Sequence, residues 1–384
     1  MKILKTSVVS ALLVSLAAFP VSALANPVTE SADLVSQSLN VTHFEGNKVS
    51  SGTISSIVQT AKDALQQEKN SKKSLSVTNT TYDNTTYDYV TFDEQHIYFY
   101  EESANSKPEL IITDNVQSKS PINEVATELK EKESILSSKV TPQVQSDFIS
   151  DGVGGKIEIT QTGSPGSYLS TKLAIPSRSQ VSEDLTQYSP YNYGGFEYSS
   201  GASGGVGSWA ADMGLSYYNN LGPNSNQWGW KPVIILKKKT QPTKDGWTQY
   251  ASNLFPDSNN LEGQYKNGYK PGTDAILYVW YNNNGKVRLK VDGTTISPTR
   301  QGTTLSDTHN ITIIDSNASW NIPQISAWKL LSTVVSSDNT GRNKAIYSSI
   351  KVNGNDVANS YFSTPQEDHA TVSRSGNTVT INVQ

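Results

Sequence analysis

The stretch from Gly272 to Gly293, GTDAILYVWYNNNGKVRLKVDG, constrains the fold more than any other part of the chain. From Ala275 to Tyr281 nearly every residue is apolar, β-branched or aromatic, which suits a strand buried on both faces. Asn282-Asn283-Asn284-Gly285 then supplies residues that tolerate positive φ, as a tight reversal requires. Beyond it Val287, Leu289 and Val291 alternate with Lys286, Arg288 and Lys290. That period of two sets three aliphatics on one face and three cations on the other. Asp292-Gly293 turns the chain again. A β-hairpin with one inner face and one wet edge is expected, and the rest of the C-terminal two-thirds reads as a sandwich built around it.

Residues 1–25 read as a targeting segment: Lys2 and Lys5, an apolar run from Val8 to Phe19, and a small-x-small site at Ala23-Leu24-Ala25. No later stretch approaches about 18 uninterrupted apolar residues, so no integral membrane segment is expected after its removal. The protein is therefore expected to be secreted. Its net charge of −4 becomes more negative once Lys2 and Lys5 leave, which argues against nucleic acid or an anionic membrane as partner. The chain has no cysteine, so an exported fold must rest on core burial and not on crosslinks, a habit common in Gram-positive bacteria.

All 7 tryptophans lie beyond residue 200, and glycine is sparse before Gly152 and dense after it. Such a shift marks a domain boundary. Residues 26–136 read as a small α+β domain, 137–150 as a linker and 151–384 as the sandwich domain. In the first, Ile54, Ile57, Val58, Ala61, Ala64 and Leu65 repeat at helical spacing, with Thr53 or Ser51 as cap. A hairpin turning near Asp93-Glu94 and a strand at PELIIT follow, then a second helix opening at Ser120-Pro121.

After residue 151 short strand candidates recur, separated by Gly, Asn, Asp and Pro. They include 156–160, 168–174, 195–199, 212–218, 231–237, 309–314, 327–335, 348–352, 370–373 and 378–383. Many short strands with this punctuation indicate packed antiparallel sheets. The succession GGFEYSSG (194–201), ADMGLSYY (211–218), WGWKPVIIL (228–236), the hairpin and WKLLSTVVSS (328–337) resembles the YrpD-like exported proteins of spore-forming bacteria. More loosely, it resembles the concanavalin-like or laminin-G-like jelly rolls. The resemblance implies a sandwich and a secreted location; it identifies no site.

Several motifs give way to plainer readings. Gly201-Ala202-Ser203-Gly204-Gly205 fits G-x-S-x-G, with Asp315 and His369 downstream, yet no βαβ alternation surrounds it. A loose G-x-G-x-x-A at 205–210 lacks a parallel sheet for a dinucleotide. Four scattered histidines without cysteine make no zinc site. No cofactor is expected; Ca2+ is the one ion whose ligand types match a loop, Asp257 to Glu262, and turn chemistry accounts for that loop as well. Glu197 and Asp212 would be neighbours if their strands pair, which bears on paired-carboxylate glycoside hydrolysis. Lys237-Lys238-Lys239 reads as a protected strand edge.

Aromatics on loops carry the functional expectation. Sugars bind where an aromatic plane meets their C–H face and amides reach their hydroxyls. Tyr191, Tyr193, Asn226, Trp228, Trp230 and Trp247 are the expected ligand-binding residues, whereas Trp280, Trp320 and Trp328 are expected in the core. The expected function is non-catalytic binding of an extracellular glycan or cell-wall polymer. The alternatives are a secreted hydrolase with an N-terminal pro-segment and a structural matrix or coat component.

Overall fold

A computed structural model of the chain describes residues 39–44, 48–75, 85–93, 95–104, 107–114, 152–160, 166–197, 205–218, 228–243, 246–251, 268–297, 306–316 and 319–384. The targeting segment, the helix expected from Ser120, the linker, Ser203, Asn226 and the loop Asp257 to Glu262 lie outside the described residues.

In chain order the elements open with β1 (Asn40–Phe44), α1 (Ser51–Leu75), β2 (Thr86–Phe92), β3 (His96–Ser103) and β4 (Glu109–Asp114). Next come β5 (Gly152–Ile159), β6 (Tyr168–Ala174), β7 (Tyr188–Glu197), β8 (Trp209–Tyr218), β9 (Gly229–Lys239), β10 (Trp247–Ala251) and β11 (Gly268–Tyr269). The hairpin is β12 (Asp274–Asn283) and β13 (Lys286–Ser297), followed by β14 (Ser306–Ser316), β15 (Ala327–Ser336) and β16 (Asn343–Val352). The chain closes with β17 (Asn355–Asp356), β18 (Gln366–Asp368), β19 (Ala370–Ser375) and β20 (Thr378–Val383).

The fold is mainly β, an open mixed sheet with one long helix among the described residues. One limb runs β1-β4-β3-β2-β14-β13-β12-β6-β16-β20-β19, parallel only at β1–β4 and β2–β14. The short β11 pairs with both β13 and β9, and from there a second limb runs β9-β8-β7-β15-β5-β18. Alternate residues of both limbs enter one core. Leu173, Leu277, Val279 and Leu289 of the first limb share it with Phe196, Met213, Trp230, Trp328 and Leu330 of the second.

Ser50 caps α1, its Oγ accepting the Thr53 amide at 3.1 Å, one residue before the earlier of the two caps expected. The periodic residues Ile57, Val58, Ala61, Ala64 and Leu65 are buried as their spacing requires. They pack on Tyr89, Tyr98, Leu110 and Ile112, and also on Ile311 and Ile313 of β14. The N-terminal strands therefore extend the same sheet as the hairpin, through a seven-residue parallel ladder between β2 and β14.

The central hairpin forms with the predicted reversal, Asn284 and Gly285 standing at φ 54° and 87° between the paired Asn283 and Lys286. Two expectations about it are corrected. β12 is buried on one face only: Ala275, Leu277 and Val279 are buried, Tyr278 and Trp280 are half-buried, and Ile276 is exposed. The cations of β13 are not on a wet edge, because the C-terminal end of α1 lies across them and carboxylates pair with Arg288 and Lys290.

Aromatics assigned to loops mostly lie in strands. β7 begins at Tyr188, before the expected Gly195, and so takes in Tyr191 and Tyr193. At Pro190 β7 has only β15 beside it, and a residue without an amide proton is tolerated at such a place. Lys237 to Lys239 are not an open edge, since β10 pairs with them.

Candidate functional site

The expected binding residues do not converge. Trp230 is fully buried in the common core, and Tyr193 is buried against Val233 and Leu331 with Tyr191 stacked on it, ring centroids 5.2 Å apart. Trp228 stacks on Tyr217 at 5.6 Å, and the Arg178 guanidinium lies 4.3 Å from its ring centre. Trp247 stands opposite Lys239, whereas Trp228 precedes Gly229, so the length of β9 separates them by roughly 30 Å. Of the tryptophans expected in the core, Trp328 is fully buried and Trp320 is half-buried against the core cluster, but Trp280 stands on the outer face of β12.

Two charged arrangements stand out. On the second limb Lys329 is buried and its Nζ lies 2.9 Å from Glu197 Oε1 and 2.8 Å from Asp212 Oδ1. The register explains the reach: Gly195 of β7 lies between Lys329 of β15 and Asp212 of β8. Strands two apart are about 9.6 Å distant, too far for a contact across an intervening side chain. A Cβ at Gly195 would come within 2.1 Å of the Ala211 carbonyl oxygen and 3.1 Å of Lys329 Cε. We expect Gly195→Ala to lower stability by about 1–3 kcal/mol through overpacking alone. Loss of the bridge adds to that, and the urea midpoint reads both.

Burial opposes the Asp212 charge, but Lys329, with Lys237 and Lys156 beyond it, outweighs burial and holds the carboxyl below its ordinary range. Burial likewise opposes the Lys329 ammonium, and Asp212 and Glu197 raise it above the usual lysine range. Asp212, the neighbour that Glu197 was expected to have, shares the Lys329 ammonium with it, and the arrangement fastens three strands together.

The second arrangement is a pocket. A cavity of about 430 Å³ opens between the end of α1 and the outer faces of β6, β12 and β13, within the size range of small-ligand sites. Its floor is laid out by strand register. Tyr168, Trp280, Arg288 and Asp315 stand opposite one another in one row across β6, β12, β13 and β14. Ser170, Tyr278, Lys290 and Ile313 make the next row. Trp280 lies between two tyrosines, 5.4 Å from Tyr168 and 5.9 Å from Tyr278, tilted 30° and 17° to them. All three rings are half-buried.

The helix supplies the wall. Glu68 pairs with Lys290, and Lys72 Nζ lies 3.3 Å from Asp292 Oδ2. Four helical residues rise about 6 Å and two strand residues about 6.6 Å. Glu68 and Lys72 therefore fall in step with Lys290 and Asp292. Arg288 grips Asp315 through two bonds of 2.6 and 2.5 Å. His309 Nε2 stands 3.0 Å from Asp292 Oδ1 and 2.6 Å from Lys72 Nζ. Burial opposes the Asp292 charge, but His309, Lys72 and Lys290 lower its carboxyl below the ordinary range.

Both lowered carboxyls set a pH dependence. Their contribution is complete above the unfolded value of ~3.9 and is lost as pH falls through the lower folded values. The Lys329 contribution is complete below the unfolded lysine value of ~10.4 and is lost as pH rises through the higher folded one. Urea midpoints should be level between about pH 5 and 9 and fall below about pH 4, with a shallower acid limb in Asp292→Asn.

Period two carried the signal for this pocket. In ILYVW the residues Ile276, Tyr278 and Trp280 share one face, and two of them have a polar tip that favours a half-wet position. The other sequence candidates, Asp315 at the end of the first row and His369, do not line it. Asp315 is committed to Arg288 and Tyr89, and His369 sits beside Asp368 at the turn before β19. Among the described residues no group of three or more His, Cys, Asp or Glu could hold a metal ion. No helix among them is long and apolar enough to cross a membrane.

The model of the YrpD family, a domain of unknown function, matches residues 146–383, and the chain belongs to that family. A relative, the uncharacterized protein YrpD of Bacillus subtilis (strain 168), is 29% identical over 239 residues, covering 61% of this chain and 83% of its own. Among solved structures, scytalido-glutamic peptidase with a transition state analog inhibitor aligns with a TM-score of 0.34 at 12% identity, over 60% of this chain and 97% of that one. SCP-B, a member of the Eqolisin family of peptidases in complex with a tripeptide Ala-Ile-His, aligns at 0.33 and 10%, with the same coverage. Likeness at that level carries no statement about chemistry. The pocket is formed partly by α1, which precedes the family-matched region.

Proposed function

We propose that this is a secreted protein of a Gram-positive bacterium that binds an extracellular glycan or cell-envelope polymer without transforming it. The ligand lies on Tyr168, Trp280 and Tyr278. One observation carries the reading: a half-buried aromatic row floors a cavity of about 430 Å³ whose rim holds paired acids and bases. Aromatic planes meet the C–H faces of sugar rings while the rim supplies donors and acceptors for hydroxyls. The fold belonging to this reading is a jelly-roll sandwich with the two limbs as its leaves, supported by their common core. Export is supported by the character of residues 1–25, and a Gram-positive source by the lack of cysteine in an exported chain.

The test is a pull-down of the full chain on insoluble wall polysaccharides, with Trp280→Ala beside it. Retention of the parent and release of the variant support the pocket. Equal retention of both, or of neither, contradicts it.

A further inference from the structure

The cations around the pocket decide what kind of glycan it takes. Lys290 is paired with Glu68, Lys72 with Asp292, and Arg288 with Asp315 in a two-bond clasp. Each positive charge at the site therefore has a carboxylate partner within the protein. A polyanion is drawn to clustered cations that lack such partners, and here its phosphates or carboxylates would have to displace Glu68, Asp292 or Asp315. A hydroxyl group displaces nothing. It donates to a carboxylate and accepts from the neighbouring ammonium, and a salt-bridged pair offers both roles side by side. The cation run at the end of β9 offers no better anion site: Lys239 is buried, and Lys238 lies 5.0 Å from the Trp209 ring centre.

The aromatic floor also has length. Tyr168, Trp280 and Tyr278 form a row with centroids 5.4 and 5.9 Å apart, Tyr278 stacked on Trp280. A row of this extent contacts consecutive rings of a chain and is only partly used by a single sugar. The Lys290 ammonium, 4.6 Å from the Tyr278 ring centre, already takes the cation position above that ring, which disfavours a cationic ligand there.

Resting on the function proposed above, we infer that the pocket selects an uncharged oligosaccharide chain spanning several rings, in preference to an anionic wall polymer. Acid–base pairs from α1 and β13 hydrogen-bond the hydroxyls of rings that lie along the row of Tyr168, Trp280 and Tyr278.

Calorimetric titration of the full chain tests this with two sets of probes. The first is neutral hexasaccharides and disaccharides of β-linked glucose, mannose and N-acetylglucosamine. The second is oligogalacturonate and poly(glycerol phosphate). Binding of a neutral hexasaccharide, at least about tenfold tighter than its disaccharide, is expected, with Kd changing less than about twofold between low and high salt. Trp280→Ala should weaken that binding about 30-fold. Preferential binding of an anionic probe, weakened about tenfold or more by the same salt and lost in Trp280→Ala, would overturn the neutral-ligand inference and leave the pocket reading standing. Binding of no probe in either set would remove the pocket reading, and this inference with it.

Discussion

Lys329→Met is expected to lower the unfolding free energy by about 3–5 kcal/mol, because it leaves the buried Glu197 and the half-buried Asp212 beside each other with the shared cation gone. Methionine fills much of the same volume, so a cavity contributes little. The direction with pH should also reverse. The parent loses stability in acid, whereas in the variant the crowded carboxylates favour protonation, and stability should rise as pH falls toward about 4. Adding Glu197→Gln and Asp212→Asn should restore most of the loss, since amides carry no charge to bury. Urea titrations at about pH 7 and pH 4.5 decide the matter. A loss under about 1 kcal/mol at neutral pH would mean that solvent, and not Lys329, satisfies the two acids.

The second large effect falls on binding. Trp280→Ala removes the central ring of the row, and a central aromatic anchor is worth about 2 kcal/mol, or about 30-fold in Kd. Folding should suffer less, because Trp280 stands outside the core and its partners Tyr168 and Tyr278 keep their own strand positions. Trp230→Phe should do the opposite, disturbing a fully buried site in the core while leaving affinity near that of the parent. Thermal unfolding and calorimetric titration of the two variants separate these roles.

Strand periodicity made the architecture readable, whereas a count of apolar residues hid the site. The turn at Asn284-Gly285, the alternation in β13 and the helical spacing from Ile54 to Leu65 all stand where the residues put them. What failed was the assumption that an unbroken run of large side chains is buried on both faces. Tyr278 and Trp280 are amphipathic and occupy a half-wet face that a hydrophobic count does not distinguish from core. The covering of Lys290 by Glu68 joins residues 222 positions apart, and no local pattern announces it. The meeting of Glu197 and Asp212 follows from pairing β7 with β8, but Lys329 enters from 132 residues away and only the register of β15 reveals it. Short strands such as β1, β10 and β11 are held by their neighbours more than by their own composition, so sequence periods pass over them.

Fluorine NMR of the full chain labelled with 5-fluorotryptophan tests the central claim most directly, with the resonances assigned by single Trp→Phe substitutions and followed during addition of the glycan that binds best. The account predicts that the Trp280 resonance moves in proportion to occupancy while those of Trp228 and Trp247 stay in place. Movement of Trp228 or Trp247 with Trp280 unchanged would contradict it.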